Sequence, residues 1–251
     1  MESILLALAA ATSWGVSDFL GGFLTRRLSL APILLISQAA GCAMLVALAE
    51  LRGPPVIEAT QIAFAVAASA GGLVGIGALY RGMAVGVVSI VAPISAAGAA
   101  LPVLYALLRG ERTTLLQALG IGLALLGVVL ASRAADHKDG RRGPAITRGV
   151  SLALLAALGF GVFFIFLHEA STADVLWVGA IQRLTGVVLV AAMVLLFRTS
   201  IRIGWRSVPG VLIVGVLDTS ANVLYAFAST TGLVSVAAVL ASLFPVVTRA
   251  N

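Results

Sequence analysis

LLRGERTTLLQALGIGLALLGVVLAS, Leu107 to Ser132, is the stretch whose reading decides the fold. One apolar run stops at a polar turn, Gly110-Glu111-Arg112, and another begins at once. The second run is about 20 residues long, enough to cross the roughly 30 Å hydrocarbon core of a bilayer at 1.5 Å per helical residue. It closes on the one sizeable polar stretch in the chain, SRAADHKDGRRGPAITR at 132–148. Counting outward from this stretch, apolar runs of similar length fall near 2–23, 30–49, 60–80, 86–108, 114–132, 149–168, 174–197, 208–229 and 232–248. Five stand before the polar stretch and four after it.

Composition agrees with a chain solvated by lipid. Apolar residues make up 61 %, charged residues 10 %, and the mean hydropathy is +1.12. A soluble domain is about half apolar and about a quarter charged. The net charge is +6, and the 16 cations, one Lys and 15 Arg against ten acids, are scattered between the apolar runs with no basic stripe or aromatic platform for nucleic acid. In such a chain the cations record topology. The single cysteine, Cys42, excludes an intramolecular disulfide and reads as buried filler. MESILLALAA lacks the positive n-region of a cleaved signal, so it reads as the first spanning helix.

The two sides of the polar stretch repeat each other at an offset of 145 or 146 residues. Leu8, Trp14 and Gly15 fall on Leu154, Phe160 and Gly161, and Gly41 falls on Gly186. Leu79-Tyr80 falls on Leu224-Tyr225, and Gly86-Val87-Val88-Ser89 on Gly232-Leu233-Val234-Ser235. A unit of five helices has an odd number of crossings, so the second copy lies upside down in the membrane. The expected fold is therefore an all-α polytopic membrane protein of two inverted five-helix repeats. The units are 1–132, a linker at 133–148, and 149–251. Nine helices are present. The counterpart of Gly110-Glu111 falls at 256–257, past Asn251, so a tenth helix is expected there unless the tail Thr248-Arg249-Ala250-Asn251 replaces it.

Two five-helix halves, Trp14-Gly15 in the first helix, and Gly110-Glu111-Arg112 between the fourth and fifth resemble the EamA-type transporters of the drug/metabolite transporter superfamily. The resemblance covers essentially the whole chain. It implies a ten-helix secondary transporter of small metabolites with a central cavity between the halves.

Cation counting orients the chain. The turns after the odd-numbered helices hold 12 Lys and Arg, and the opposite side holds Arg52, Arg109 and Arg112. The excess marks the cytoplasmic side, placing the linker inside and the N-terminus outside. Members of the resembled family are more often drawn the other way round. A bacterial inner (plasma) membrane is the expected location.

Three charges lie at membrane depth: Asp18, Arg183 and Asp218. A charge at the midplane costs about 2.5–3.5 kcal/mol on insertion scales, which makes such groups functional by default. Asp218 is central in the eighth helix, Arg183 lies near the middle of the seventh, and Asp18 is roughly 7–8 Å past the middle of the first. Asp218, Asn222, Tyr225 and Ser229 share one helical face, as do Trp14, Ser17 and Asp18 with Ser13. The expected substrate wall is Trp14, Ser17, Asp18, Arg183, Asn222 and Tyr225, with Arg183 holding a substrate carboxylate. Asp218 is the expected proton carrier. The plain alternatives are an Arg183–Asp218 structural pair, Asp18 reaching Arg26 or Arg27 at the interface, and packing roles for Trp14 and Tyr225. His168 and Glu169 read as solvated helix ends and His137 as a linker residue. Gly71, Gly72, Gly75 and Gly77, with Gly120 and Gly127, read as close helix approaches, and Pro93, Pro102 and Pro245 as breaks.

No GxxxxGK[ST] loop is present to bind ATP, no HExxH or other His–carboxylate cluster to bind a metal, and GVSDF lacks the second glycine of a nucleophile elbow. The expectation is no enzyme, no cofactor and no nucleic acid. A monomer or homodimer would move a small metabolite or drug by alternating access, driven by protons or the substrate's own gradient. The competing reading is a non-transporting assembly partner, or half of a hetero-oligomer.

Overall fold

The computed structural model describes residues 1–123, Leu126 and 144–245, and among these every element is helical. In chain order they are α1 (Glu2–Leu24), α2 (Leu30–Arg52), α3 (Ala59–Val85), α4 (Val88–Ala96) and α5 (Ala100–Leu108). A helix over 115–123, here α6, follows. Then come α7 (Pro144–Ala170), α8 (Val175–Phe197), α9 (Val208–Thr231) and α10 (Val234–Ala241). Seven described helices are long and apolar enough to span a bilayer, with α4 and α5 counted as one over Ile90–Leu108. Large side chains on their outer faces stay exposed, such as Leu195 at 79 % and Leu196 at 77 %. Only a hydrocarbon solvent makes that surface favourable.

The α4–α5 span breaks at a 3-10 turn, Ala97–Ala99. Pro93 inside α4 removes an N–H from the ladder, and Gly98 in the turn lets the chain press on the Ala157 carbonyl of α7. The expected fifth helix is described only over its first turns. Gly127, His137 and the expected linker as far as 143 lie outside the described residues, while its last five residues, 144–148, belong to α7, which begins at Pro144 and not at 149.

The packing order displays the repeat. The most extensive contacts join α3 to α7 and α1 to α9, and α2 packs on α8. The first two pairs each set the third helix of one repeat against the first helix of the other. The last pairs the two second helices. These are the contacts of two inverted copies related by an approximate two-fold axis in the membrane plane.

The α3–α7 crossing is made close by glycine. A Cβ on Gly159 would stand 2.6 Å from the Gly75 nitrogen, and one on Gly71 3.0 Å from the Gly159 carbonyl oxygen, so neither site has room for a side chain. Gly77 and Gly120 are different: the nearest atom to a Cβ at Gly77 is Leu30 Cδ2 at 3.9 Å, and Gly120 has open space.

Because the helices run alternately up and down, 25–29, 86–87 and 198–207 gather at one end of the bundle. The segments 53–58, 109–114, 171–174 and 232–233 gather at the other, called here the Glu111 end. At that end Asp174 caps α8, accepting from the Leu176 and Trp177 amides at 3.0 and 3.2 Å.

Candidate functional site

A cavity of about 490 Å³ lies at mid-height between the repeats. Its wall is built from α1, α2, α3, α7, α8 and α9, with Phe244 just after α10.

The two first helices face it with the same positions and opposite chemistry. On α1 these are Trp14 and Asp18, with Ser17 sealed between them and the neighbouring helix. Shifted by 146 residues, the same places on α7 are Phe160, Phe163 and Phe164. In a helix, positions four apart share a face, so α1 offers a carboxylate where α7 offers a ring. Trp14 packs against the facing aromatics, its centroid 5.5 Å from Phe164 and 6.3 Å from Phe163, both edge-on. Its indole N–H donates to Asn222 Oδ1 at 3.1 Å, which fixes the ring.

Opposite stands Arg183, 1 % exposed. Its Nη1 donates to Asp218 Oδ2 at 2.7 Å and to Gln38 Oε1 at 3.1 Å. Nε and Nη2 have no hydrogen-bond partner. A charged pair in a dry interior persists only with good geometry and further hydrogen bonds, and Gln38 supplies one. Gln38 and Arg183 are 145 residues apart, so they hold the same place in the two repeats and touch each other.

Asp18 is 3 % exposed and its Oδ1 is buried without a partner. Among the described residues no ion pair joins it to Arg26 or Arg27, and Arg27 lies over the Phe23 ring, 5.1 Å from its centroid. Asp18 therefore faces the cavity and not the interface. The polar stripe on α9 divides. Asp218 and Asn222 line the cavity, while Tyr225 is fully buried behind the wall, donating to the Phe164 carbonyl at 3.2 Å. Ser229 bonds its own helix at Ala226 O. Ser17 is likewise sealed, donating to Val214 O at 3.1 Å, and with Ser13 on Leu217 O at 2.7 Å it straps α1 to α9.

So the structure brings Trp14, Asp18, Arg183, Asp218 and Asn222 to one surface and leaves Ser17 and Tyr225 supporting it. It adds Gln38 and Gln182, both nearly buried, the latter with Oε1 unpartnered. Both are amides inside apolar runs, a signal that a search for charges alone passes over. At the Glu111 end, Glu169 is not a solvated helix end: it accepts from Tyr105 Oη, and His168 Nδ1 beside it is buried without a partner. Among the described residues no three His, Cys, Asp or Glu side chains converge as metal ligands would.

Comparison with known proteins fits this arrangement. The family model of the EamA-like transporter family matches residues 1–133 and 147–249. No curated protein matches the sequence significantly. A solved structure titled only "Crystal structure of protein" is similar in fold, with a TM-score of 0.75 at 20 % identity, covering 99 % of this chain and 86 % of that one.

Proposed function

The chain belongs to the EamA-like transporter family, multi-pass membrane proteins of the drug/metabolite transporter superfamily, and from that premise we propose that it is a proton-coupled secondary transporter working by alternating access. The moving bodies are the repeats 1–132 and 149–251, hinged through the linker, in a bacterial inner membrane. One observation carries the reading: a buried carboxylate, Asp18, with an unpartnered oxygen in a cavity whose Arg183 is already paired with Asp218.

The charge count gives the chemistry. The wall carries Asp18, Asp218 and Arg183, a formal charge of −1. Arg183 neutralises Asp218, so the surplus sits on Asp18. A lone ionised carboxylate in a dry interior is costly, and two things balance it: a proton or a cationic group on the substrate. Of the two acids, Asp18 thus suits proton exchange, and Asp218 suits holding Arg183 in place. A substrate ammonium would take Asp18, and its apolar body the rings of Phe160, Phe163 and Phe164. The unpartnered Nε and Nη2 of Arg183 form the side edge of the guanidinium, which fits a carboxylate. Small amphipathic amines and amino acids are the substrates this site suits.

The test begins with a thermal-shift screen of metabolites on the purified protein. Hits are then added to proteoliposomes holding a pH dye. A hit should drive proton movement in the unaltered protein, and Asp18→Asn should abolish it while leaving a weaker substrate exchange through the Arg183 and aromatic contacts. Unchanged proton flux in Asp18→Asn would remove Asp18 from the coupling. Loss of flux in Asp218→Asn, with Asp18→Asn silent, would return that role to Asp218.

A further inference from the structure

Gly110-Glu111 closes one helix and opens another in a different repeat. Gly110 takes a left-handed conformation, φ +86°, after the end of α5. Its amide bonds Leu107 O at 3.0 Å, and the Glu111 amide bonds Ala106 O at 2.9 Å. That pair of bonds is a Schellman cap, which a glycine at this place allows without strain. The cap turns the Glu111 side chain away from its own helix and onto the start of α10. There Oε2 accepts from the Val234 amide at 2.7 Å and Oε1 from the Ser235 amide at 3.2 Å, and the Ser235 hydroxyl also donates to Oε1. A carboxylate on free amides at a helix N-terminus is a strong, charge-assisted contact.

This contact has company. Tyr105 donates to Glu169, Trp177 Nε1 donates to Gly53 O at 2.8 Å, and Arg52 lies 3.9 Å from Asp174. Each joins the first repeat to the second, and all lie at the Glu111 end. At the opposite end, among the described residues, no hydrogen bond or ion pair joins the repeats; Gly86 and Gly149 meet there, and Gly210 meets Leu24, by van der Waals contact alone. Among the described residues, then, one end of the bundle is fastened by polar bonds and the other by apolar contact.

We propose that Glu111 is a positioning residue for transport: its carboxylate latches the gate at the Glu111 end and is released when the cavity opens to that side. The latch acts through α10, which leads into Phe244 in the cavity wall, where its ring stands 6.3 Å from Phe160. The proposal rests on the alternating-access reading above.

Two single-cysteine reporters in a Cys42→Ala background test it in detergent with a hydrophilic maleimide. Ser229→Cys lies on α9, one turn beyond Tyr225 toward the Glu111 end, at a site 1 % exposed. Met83→Cys lies near the other end of α3, at a site 2 % exposed. Glu111→Gln should speed labelling of the Ser229→Cys reporter about tenfold, the shift expected from losing one hydrogen bond to a charged group. Labelling of the Met83→Cys reporter should stay unchanged or slow. Ser235→Ala removes one bond of three, should act in the same direction more weakly, and decides the matter if Glu111→Gln does not fold. Equal acceleration at both reporters, acceleration at Met83→Cys alone, or no acceleration overturns the latch. A second arm asks whether the contact must break. Glu111→Cys with Ser235→Cys, bridged by a short bifunctional methanethiosulfonate, should lose proton-coupled flux of a screened hit and regain it on reduction. Full flux in the bridged protein overturns the proposal. If alternating access itself is wrong, the unbridged protein shows no coupled flux; if only the latch is wrong, that flux is intact and bridging leaves it so.

Discussion

Adding one methyl group at Gly159 should separate the two repeats measurably. The Cβ of Gly159→Ala would stand 2.6 Å from the Gly75 nitrogen, and 2.8 Å from both the Gly71 carbonyl oxygen and Gly75 Cα, where ordinary contact is 3.4–4 Å. All three obstacles are backbone, so no side chain can swing aside. The α3 and α7 axes must part by about 1 Å, and forced overpacking of this kind costs roughly 1–3 kcal/mol. For a chain of this size each kcal/mol lowers the melting temperature by roughly 2–4 °C, so the variant should melt about 2–12 °C below the parent in detergent. Gly77→Ala, on the same α3, is the control. Its nearest neighbour would be Leu30 Cδ2 at 3.9 Å, and its melting temperature should hold or rise. Gly159 also adjoins Phe160, so Gly159→Ala should weaken binding of any cavity ligand while Gly77→Ala should not. Equal melting temperatures for the two variants would refute the close-crossing argument.

Arg183→Met should destabilise the protein by about 3–5 kcal/mol by orphaning Asp218, and adding Asp218→Leu should recover most of the loss, read as melting temperatures. Asn222→Leu leaves the Trp14 indole N–H buried without an acceptor and should cost about 1–3 kcal/mol, while a double change with Trp14→Phe should cost less than the sum. Tyr225→Phe removes the bond to the Phe164 carbonyl and should cost about 0.5–1.5 kcal/mol with ligand affinity unchanged, since Tyr225 stands behind the wall; a large affinity loss by calorimetry would place its hydroxyl in the site.

Hydrophobic run length alone located the spans, because in lipid every backbone group must be satisfied within its own helix. Expected spans such as 30–49 and 174–197 meet helices Leu30–Arg52 and Val175–Phe197. Charge at depth then singled out Asp18, Arg183 and Asp218, and these do converge. Three things were not legible. Gln38 and Gln182 carry no charge, and their role depends on what faces them across α2 and α8. Ser17 and Tyr225 lie on the expected helical faces, yet a helical wheel does not tell which positions of a face a neighbouring backbone covers. The work of Gly110-Glu111 was visible only as a turn, because the helix that Glu111 caps lies 123 residues away in sequence.

The contact between Gln38 and Arg183 explains why the two halves must differ. A side chain on a two-fold axis meets its own copy. Two copies of the second half would set Arg183 against Arg183, a repulsion of about 4 kcal/mol at 4 Å in a partly polarisable interior. Two copies of the first half would set Gln38 against Gln38, which satisfies itself but carries no charge and calls for no Asp218. Neither half can therefore build this site by self-assembly. Duplication freed one residue on the axis to become a cation while its twin became the acceptor, and that unlikeness lets a symmetric scaffold grip a molecule whose two ends differ.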